Sequence, residues 1–219
     1  AWHMSDPLLK QKDYWNRAID HFDSIYSHEK SFIGNLVDRL VRWDMYKRFQ
    51  YTMDKAEPIS GRTFLDVGCG TGRYSLEFIA RGARFVVGID VSDKMIETCR
   101  ERAMKMGAAD RTGFLLTDLM QYNPDRQFDV CIGIGLFDYI RDPLPVIEKM
   151  RATVTGKVIM SFPLLWTWKA PVRKVQLGLK GCDSFFYTKG QVMALVMEAG
   201  FRDFTIEKIG QLYCVTAMR

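Results

Sequence analysis

No apolar run in the chain approaches the eighteen or so residues that a spanning helix needs, and no charged-then-apolar leader ends in a small-residue cleavage site. A cytoplasmic protein is the expectation. The five cysteines, Cys69, Cys99, Cys131, Cys182 and Cys214, include no CxxC pair and have no histidine nearby, and the whole chain holds only three histidines. Disulfide frameworks and zinc sites both need closer grouping, so reduced, mostly buried thiols and no metal are expected. Internal repeats and low-complexity linkers are missing too, and a net charge of +5 does not by itself call for a nucleic-acid partner. What is present is ordinary for a globular protein: 219 residues, 47% hydrophobic and 26% charged, enough for one domain with a helical appendage. Residues 1–4, "AWHM", read as an expression scar.

Two periodicities divide the chain. From residue 8 to 28, apolar side chains at Trp15, Ala18, Ile19, Phe22, Ile25 and Tyr26 keep to one helical face. A second helix is expected from about Phe32 toward Lys55, where "EPISGR" breaks it. Residues 5–57 therefore read as a helical cap. Beyond it, short apolar runs, "TFLDV", "RFVVGID", "GFLLTD", "FDVCIGIG" and "GKVIMSF", alternate with helical stretches, the order of a parallel sheet covered on both faces. Ser92 is placed to cap one helix, Pro143 to open another, and Thr188 with Gln191 to form a capping box for a helix ending at Gly200. The tail reads as two strands turning at Gly210.

The turn "LDVGCGTG" carries Gly68, Gly70 and Gly72 between a strand and a helix, where backbone N–H groups and open space serve a nucleotide-like ligand. Its spacing is not that of a dinucleotide fingerprint, because Arg73 stands where the third glycine of G-x-G-x-x-G would fall. Asp66, just before the turn, would oppose a pyrophosphate and suits a ligand bearing an ammonium group. Asp90 and Asp118 end the next two apolar runs. In parallel neighbouring strands the three acids share one edge and line one cleft.

Residues 63–134 resemble the cofactor half of the class I S-adenosylmethionine-dependent methyltransferases: "LDVGCGTG" its glycine-rich motif, "GID" its ribose-binding acid, "LLTDL" its adenine-binding acid and apolar neighbour, "FDVCIGIG" its fourth strand. The "EAGF" step extends the match to the C-terminus. The resemblance implies a Rossmann-like three-layer α/β sandwich, a seven-stranded mostly parallel sheet with the last strand antiparallel, spanning residues 58–219. By position, Gly68, Gly70 and Gly72 would admit the methionine portion of S-adenosyl-L-methionine, Asp66 would organise the loop or receive the amino group, and Asp90 would bind the ribose hydroxyls. Val91 and Met95 would pack on adenine beside Leu119, Asp118 would accept from its exocyclic amine, and the Gly133 carbonyl would face the sulfonium. S-adenosyl-L-homocysteine would be the product.

A sulfonium is already a good leaving group, so such a protein needs alignment and exclusion of water, with a base only where the acceptor must lose a proton. Asp138 and Tyr139, in "LFDYIRDP", are the candidates for substrate-facing catalytic residues, with helix capping or closing the cleft wall as their alternative. Tyr14 could reach the cofactor from the cap, while His21 and His28 read as surface or core residues. An insertion at about 163–187 reads as a substrate lid: between Pro163 and Gly190 five cations, Lys169, Arg173, Lys174, Lys180 and Lys189, stand against one acid, Asp183, with Trp166 and Trp168 among them. Exposed cations beside aromatic surface fit an anionic, partly apolar small molecule, or alternatively an anionic membrane surface. No nucleic-acid partner is expected, since "IGLF" stands where base methyltransferases have an "NPPY"-like tetrad. The stretch "DYWNRAIDHFDSIY" is distantly similar to methyltransferases acting on quinone precursors or on a porphyrin carboxylate, but fixes no substrate. Two alternatives stay open: a protein or RNA methyltransferase docking through Arg39, Arg42, Lys47 and Arg48, and a non-catalytic cofactor-binding module.

Overall fold

The computed structural model describes residues 12, 13, 16, 35–165 and 184–219, with side chains from residue 43 onward in the first long helix. Seven strands form one sheet: β1 (Thr63–Val67), β2 (Phe85–Asp90), β3 (Thr112–Leu116), β4 (Phe128–Gly133), β5 (Val154–Pro163), β6 (Asp203–Ile209) and β7 (Leu212–Met218). Their spatial order is β3-β2-β1-β4-β5-β7-β6. The first five run parallel, and β7 lies antiparallel to both β5 and β6. This is the expected three-layer α/β arrangement. The helices are α1 (Asn35–Ala56), α2 (Arg73–Ala80), α3 (Asp93–Lys105), α4 (Pro143–Ala152) and α5 (Lys189–Glu198).

Local chemistry sets the helix ends. Ser92 Oγ accepts the Met95 N–H at 3.3 Å and starts α3, and Pro143 occupies the first turn of α4. The Thr188–Gln191 box is reciprocal, with Thr188 N–H donating to Gln191 Oε1 at 2.8 Å and Gln191 N–H to Thr188 Oγ1 at 3.3 Å. Gly200, at φ +91°, stops α5. The third strand ends two residues before Asp118, earlier than its apolar run implies. The cause is Asp118 itself, whose Oδ1 accepts the N–H groups of Met120 and Gln121 at 2.7 and 3.1 Å and bends the chain into a turn.

Each sheet face has its own core. Phe64, Phe78, Val86, Val130, Ile132 and Ile159 pack with Tyr51, Met53 and Ile59 from α1 and the segment after it. On the opposite face, Leu65, Val87, Cys131 and Met160 pack with Ile147 and Met150 of α4 and Val192 and Val196 of α5. Helix α1 is fastened to the sheet by the Tyr51–Thr216 hydroxyl pair at 2.9 Å and by Lys157 Nζ, which donates to the carbonyls of Lys55 and Glu57 at 2.7 and 2.9 Å. No helix among the described residues is long and apolar enough to cross a membrane.

Candidate functional site

The glycine turn follows β1 at the carboxyl edge of the sheet, and its backbone is held from several directions. Gly68 and Cys69 N–H groups both donate to the Ile89 carbonyl, at 2.8 and 3.1 Å. Cys99 Sγ donates to the Gly70 carbonyl at 3.0 Å, and Arg102 Nη1 to the Thr71 carbonyl at 3.1 Å. Gly68, Gly70 and Gly72 have φ of +70°, +54° and +80°, a region that costs side-chain-bearing residues about 1–2 kcal/mol. Space adds a second demand, for a Cβ at Gly72 would lie 3.0 Å from Cys99 Sγ and one at Gly68 3.1 Å from Leu136 Cδ1. Gly72 precedes α2, which no side chain caps. The loop is thus a fixed cradle with no Cβ at three of its five positions.

Asp90 closes the cradle from β2. Its Oδ2 accepts the Gly70 N–H at 3.0 Å and its Oδ1 the Ser92 N–H at 2.9 Å, so the strand tip, the glycine loop and the start of α3 are pinned together. Burial pushes its carboxyl above the ordinary range, against the opposing pull of those N–H groups. Each oxygen keeps a further lone pair for a hydroxyl donor. Asp66 stands behind the loop: it is 2% exposed, accepts a 2.6 Å hydrogen bond from Ser75 Oγ, and burial pushes it up to about 7. Of its two expected roles, that contact serves the organising one, tying β1 to α2.

Met95 is buried under the first turn of α3, Val91 is half-exposed above it, and Leu119 is buried with Val87 and Ile89. Asp118 uses one oxygen to hold its own turn. Gly133 ends β4 where a Cβ would lie 2.9 Å from Met150 Cε, so a side chain there would require the end of Met150 to shift. Just past it, Gly135 N–H donates to Ser161 Oγ at 2.9 Å.

Asp138 and Tyr139 sit together in the turn after β4. Asp138 is 5% exposed and Tyr139 half-buried. The Asp138 carbonyl accepts the Phe185 N–H at 2.9 Å, and Tyr187 Oη donates to the carbonyls of Phe137 and Ile140 at 3.2 and 3.4 Å. Burial, then the Asp138 charge, push the Tyr187 phenol up to about 12, so it stays a donor. The two ends of the 163–187 insertion meet where Leu165 N–H donates to the Tyr187 carbonyl and Tyr187 N–H to the Pro163 carbonyl. The lid residues Trp166, Trp168, Arg173 and Lys174 lie outside the described residues, as do Tyr14, His21 and His28.

Several contributors were not expected. Asn16, in the cap stretch that holds Tyr14, accepts from Ser92 Oγ at 2.6 Å and donates to Asp93 Oδ1 at 2.7 Å, beside the Asp90 turn. Arg48, read from the sequence as one of a surface run of cations, is half-buried, and its Nη1 lies 3.3 Å from the Cβ position of Gly135. Ser75 and Ser161 complete the set. Among the described residues no group of three histidine, cysteine or acidic side chains could hold a metal ion.

The chain is similar to known proteins in sequence and in fold. Residues 64–155 match the model of a methyltransferase domain. The tRNA U34 carboxymethyltransferase of Pseudoalteromonas translucida (strain TAC 125) is 32% identical over 111 residues, 50% of this chain and 34% of that protein. The ubiquinone biosynthesis O-methyltransferase of Actinobacillus pleuropneumoniae serotype 5b (strain L20) is 30% identical over 119 residues, 52% of this chain and 50% of that one. The chain thus spans between a third and a half of the length of these curated relatives. Magnesium protoporphyrin IX methyltransferase from Synechocystis PCC 6803, solved with bound SAH, superposes with a TM-score of 0.79 at 20% identity, covering 98% of this chain and 100% of that one. An S-adenosylmethionine-dependent methyltransferase from Mesorhizobium loti gives 0.65 at 18% identity, covering 82% and 100%. With the glycine cradle, the strand-tip acid and the strand order all in place, residues 64–155 match a methyltransferase domain, and the chain has the fold of these solved S-adenosylmethionine-dependent methyltransferases.

Proposed function

We propose that the protein binds S-adenosyl-L-methionine in the cradle of residues 66–72 and 90–95 and transfers its methyl group to a small-molecule acceptor. The observation that carries this reading is the bridge from Asp90 to the Gly70 and Ser92 N–H groups, which presents a carboxylate at the strand tip beside a loop whose three glycines all have positive φ. The bound sulfonium would supply the methyl group and a good leaving group. The chain's own residues then have positional work: Asp90 holds the ribose hydroxyls, Asp66 with Ser75 fixes the loop, and Val91, Met95, Leu119 and Asp118 border the adenine. Residues 5–57 would cap the site, a role supported by Asn16 on Ser92 and Asp93.

The acceptor in this reading is anionic and partly apolar. Arg48 reaches the turn just past β4 from α1, and the lid segment carries the cations read from the sequence. Tyr139, half-exposed in that turn, is the better placed of the two catalytic candidates to meet a substrate, with the buried Asp138 behind it. The full-length likeness to a porphyrin methyltransferase supports a small-molecule acceptor. A second reading, an RNA acceptor, is favoured by the similarity to tRNA U34 carboxymethyltransferase over half of this chain.

Mass spectrometry of ligands copurifying with the protein, followed by transfer of a labelled methyl group to each acceptor class, tests the proposal. Label in a small acid but not in bulk tRNA is the expected result. Label in tRNA alone would replace the first reading by the second, and no transfer despite cofactor binding would leave only a binding module.

A further inference from the structure

The sheet order β3-β2-β1-β4 obliges the chain, on leaving β3, to cross β2 and β1 before it enters β4. The other parallel crossovers each carry a helix: α2 between β1 and β2, α3 between β2 and β3, α4 between β4 and β5. Residues 117–127 carry none. On this face the core is covered by α4 and α5, which pack near β4, β5 and β7. Among the described residues, the amino-terminal ends of β1 and β2 are therefore roofed on this face by the irregular crossover, and beneath it lies a cavity of about 370 Å³. That volume falls in the range of small-ligand sites.

Its lining has a definite chemistry. Val87 and Phe128 are buried and form the floor, while the half-buried Phe85 and Tyr122 form aromatic walls. Arg84 and Arg126 stand exposed at the rim with Asp125. Asp129 lies nearby, where its burial is outweighed by the Thr63 N–H and hydroxyl and by Arg62 and Arg84, so it stays charged and offsets part of the Arg84 charge. Arg126 is then the main cation facing the opening. Burial and the Asp125 charge raise the Tyr122 phenol, which remains a neutral donor. An apolar floor, two aromatic walls and a guanidinium at the rim match a flat apolar body bearing one carboxylate.

The same crossover reaches the cofactor cradle. It begins at Asp118, whose carboxylate holds Met120 and Gln121, and the Tyr122 N–H donates to the Asp118 carbonyl at 3.1 Å. One turn thus joins the adenine side of the cradle to the wall of the cavity. Anything that orders Tyr122 also orders Asp118, and such coupling is reciprocal.

We propose that the cavity under residues 117–127, at the amino-terminal edge of β1, β2 and β4, binds a small aromatic monocarboxylate and is coupled to the cofactor cradle through the 118–122 turn. The site lies at the opposite edge of the sheet from the glycine loop, so the two ligands bind together. The test uses 1-naphthoate as the probe, titrated calorimetrically with and without saturating S-adenosyl-L-homocysteine, alongside its neutral analogue 1-naphthylmethanol. Naphthoate should bind one to one in both conditions and tighten the homocysteine product's affinity by about fivefold, the low end of ordinary coupling. Arg126→Glu should weaken naphthoate by about tenfold or more, as loss of a charge-assisted contact does, without altering the protein's own affinity for the product. Displacement of naphthoate by the product would put it in the cofactor cleft and overturn the proposal. Equal affinity for the neutral analogue, an unaffected Arg126→Glu variant, or no binding at millimolar naphthoate would do the same, and an unchanged product affinity would overturn the coupling. Failure of the product to bind at all would count against the methyltransferase reading instead, leaving the naphthoate arm to be judged alone.

Discussion

Replacing Asp90 separates a ligand-binding carboxylate from a structural one. In the fold its two oxygens accept the Gly70 and Ser92 N–H groups, at 3.0 and 2.9 Å. Asp90→Ala leaves both donors without that acceptor, a loss of about 1–3 kcal/mol for a buried donor and less where water can enter. Asp90→Asn keeps one acceptor oxygen and removes a charge that burial disfavours, since the carboxyl is raised in the fold. Its stability should therefore stay within about 1 kcal/mol of the parent. Cofactor affinity should respond differently. A hydrogen bond to a charged acceptor is worth about 1.5–3 kcal/mol, so either variant should weaken S-adenosyl-L-homocysteine by roughly tenfold to a hundredfold. Thermal unfolding and calorimetric titration on the same samples give both numbers. A folded Asp90→Asn protein that binds the product within about twofold of the parent, well below the contact's worth, would show that Asp90 is only a structural strand-end residue.

Three further perturbations probe the loop and its surroundings. Asp66 is raised from 3.8 to about 7 by burial, so the fold retains its proton where the unfolded chain has lost it; stability should fall as pH rises from about 4 toward 7, and Asp66→Asn should flatten that slope in a melting series. An unchanged slope would show that Asp66 ionises normally. Gly72→Ala forces a side chain to φ +80° and to within 3.0 Å of Cys99 Sγ, so it should cost about 1–2 kcal/mol or more in denaturant titration, and a neutral result would mean the loop is not held as described. Tyr187→Phe removes the donor shared by the Phe137 and Ile140 carbonyls and should lower methyl-transfer turnover while product affinity holds; an equal loss in both would place its role in folding rather than in the turn after β4.

The features legible in the sequence are those written locally. Apolar runs such as "FVVGID" mark strands because a fully covered parallel sheet buries both faces, and the Thr188–Gln191 box is complete within four residues. The glycine turn is legible because positive φ leaves few alternatives. Less visible are contacts whose partners lie far apart in the chain. Ser161 takes the Gly135 N–H across two strands, Asn16 caps a turn from the far end of the chain, and Arg48 belongs to a charged helix yet folds inward against Gly135. Composition cannot separate that arginine from exposed Lys47, which lies over Trp43. Asp118 shows the opposite case: it was expected to be the strand's last residue, and its side chain turns the chain so that the strand stops two residues sooner.

The cradle is expected to select a sulfonium nucleoside over a dinucleotide, because Arg73 stands where the third glycine of a dinucleotide turn would fall. Calorimetric titration of the protein with S-adenosyl-L-homocysteine and, separately, with NAD tests this most directly. One-to-one binding of the sulfur ligand at micromolar affinity and no heat from NAD are the expected results. Saturable NAD binding with no response to S-adenosyl-L-homocysteine or S-adenosyl-L-methionine would contradict that selectivity.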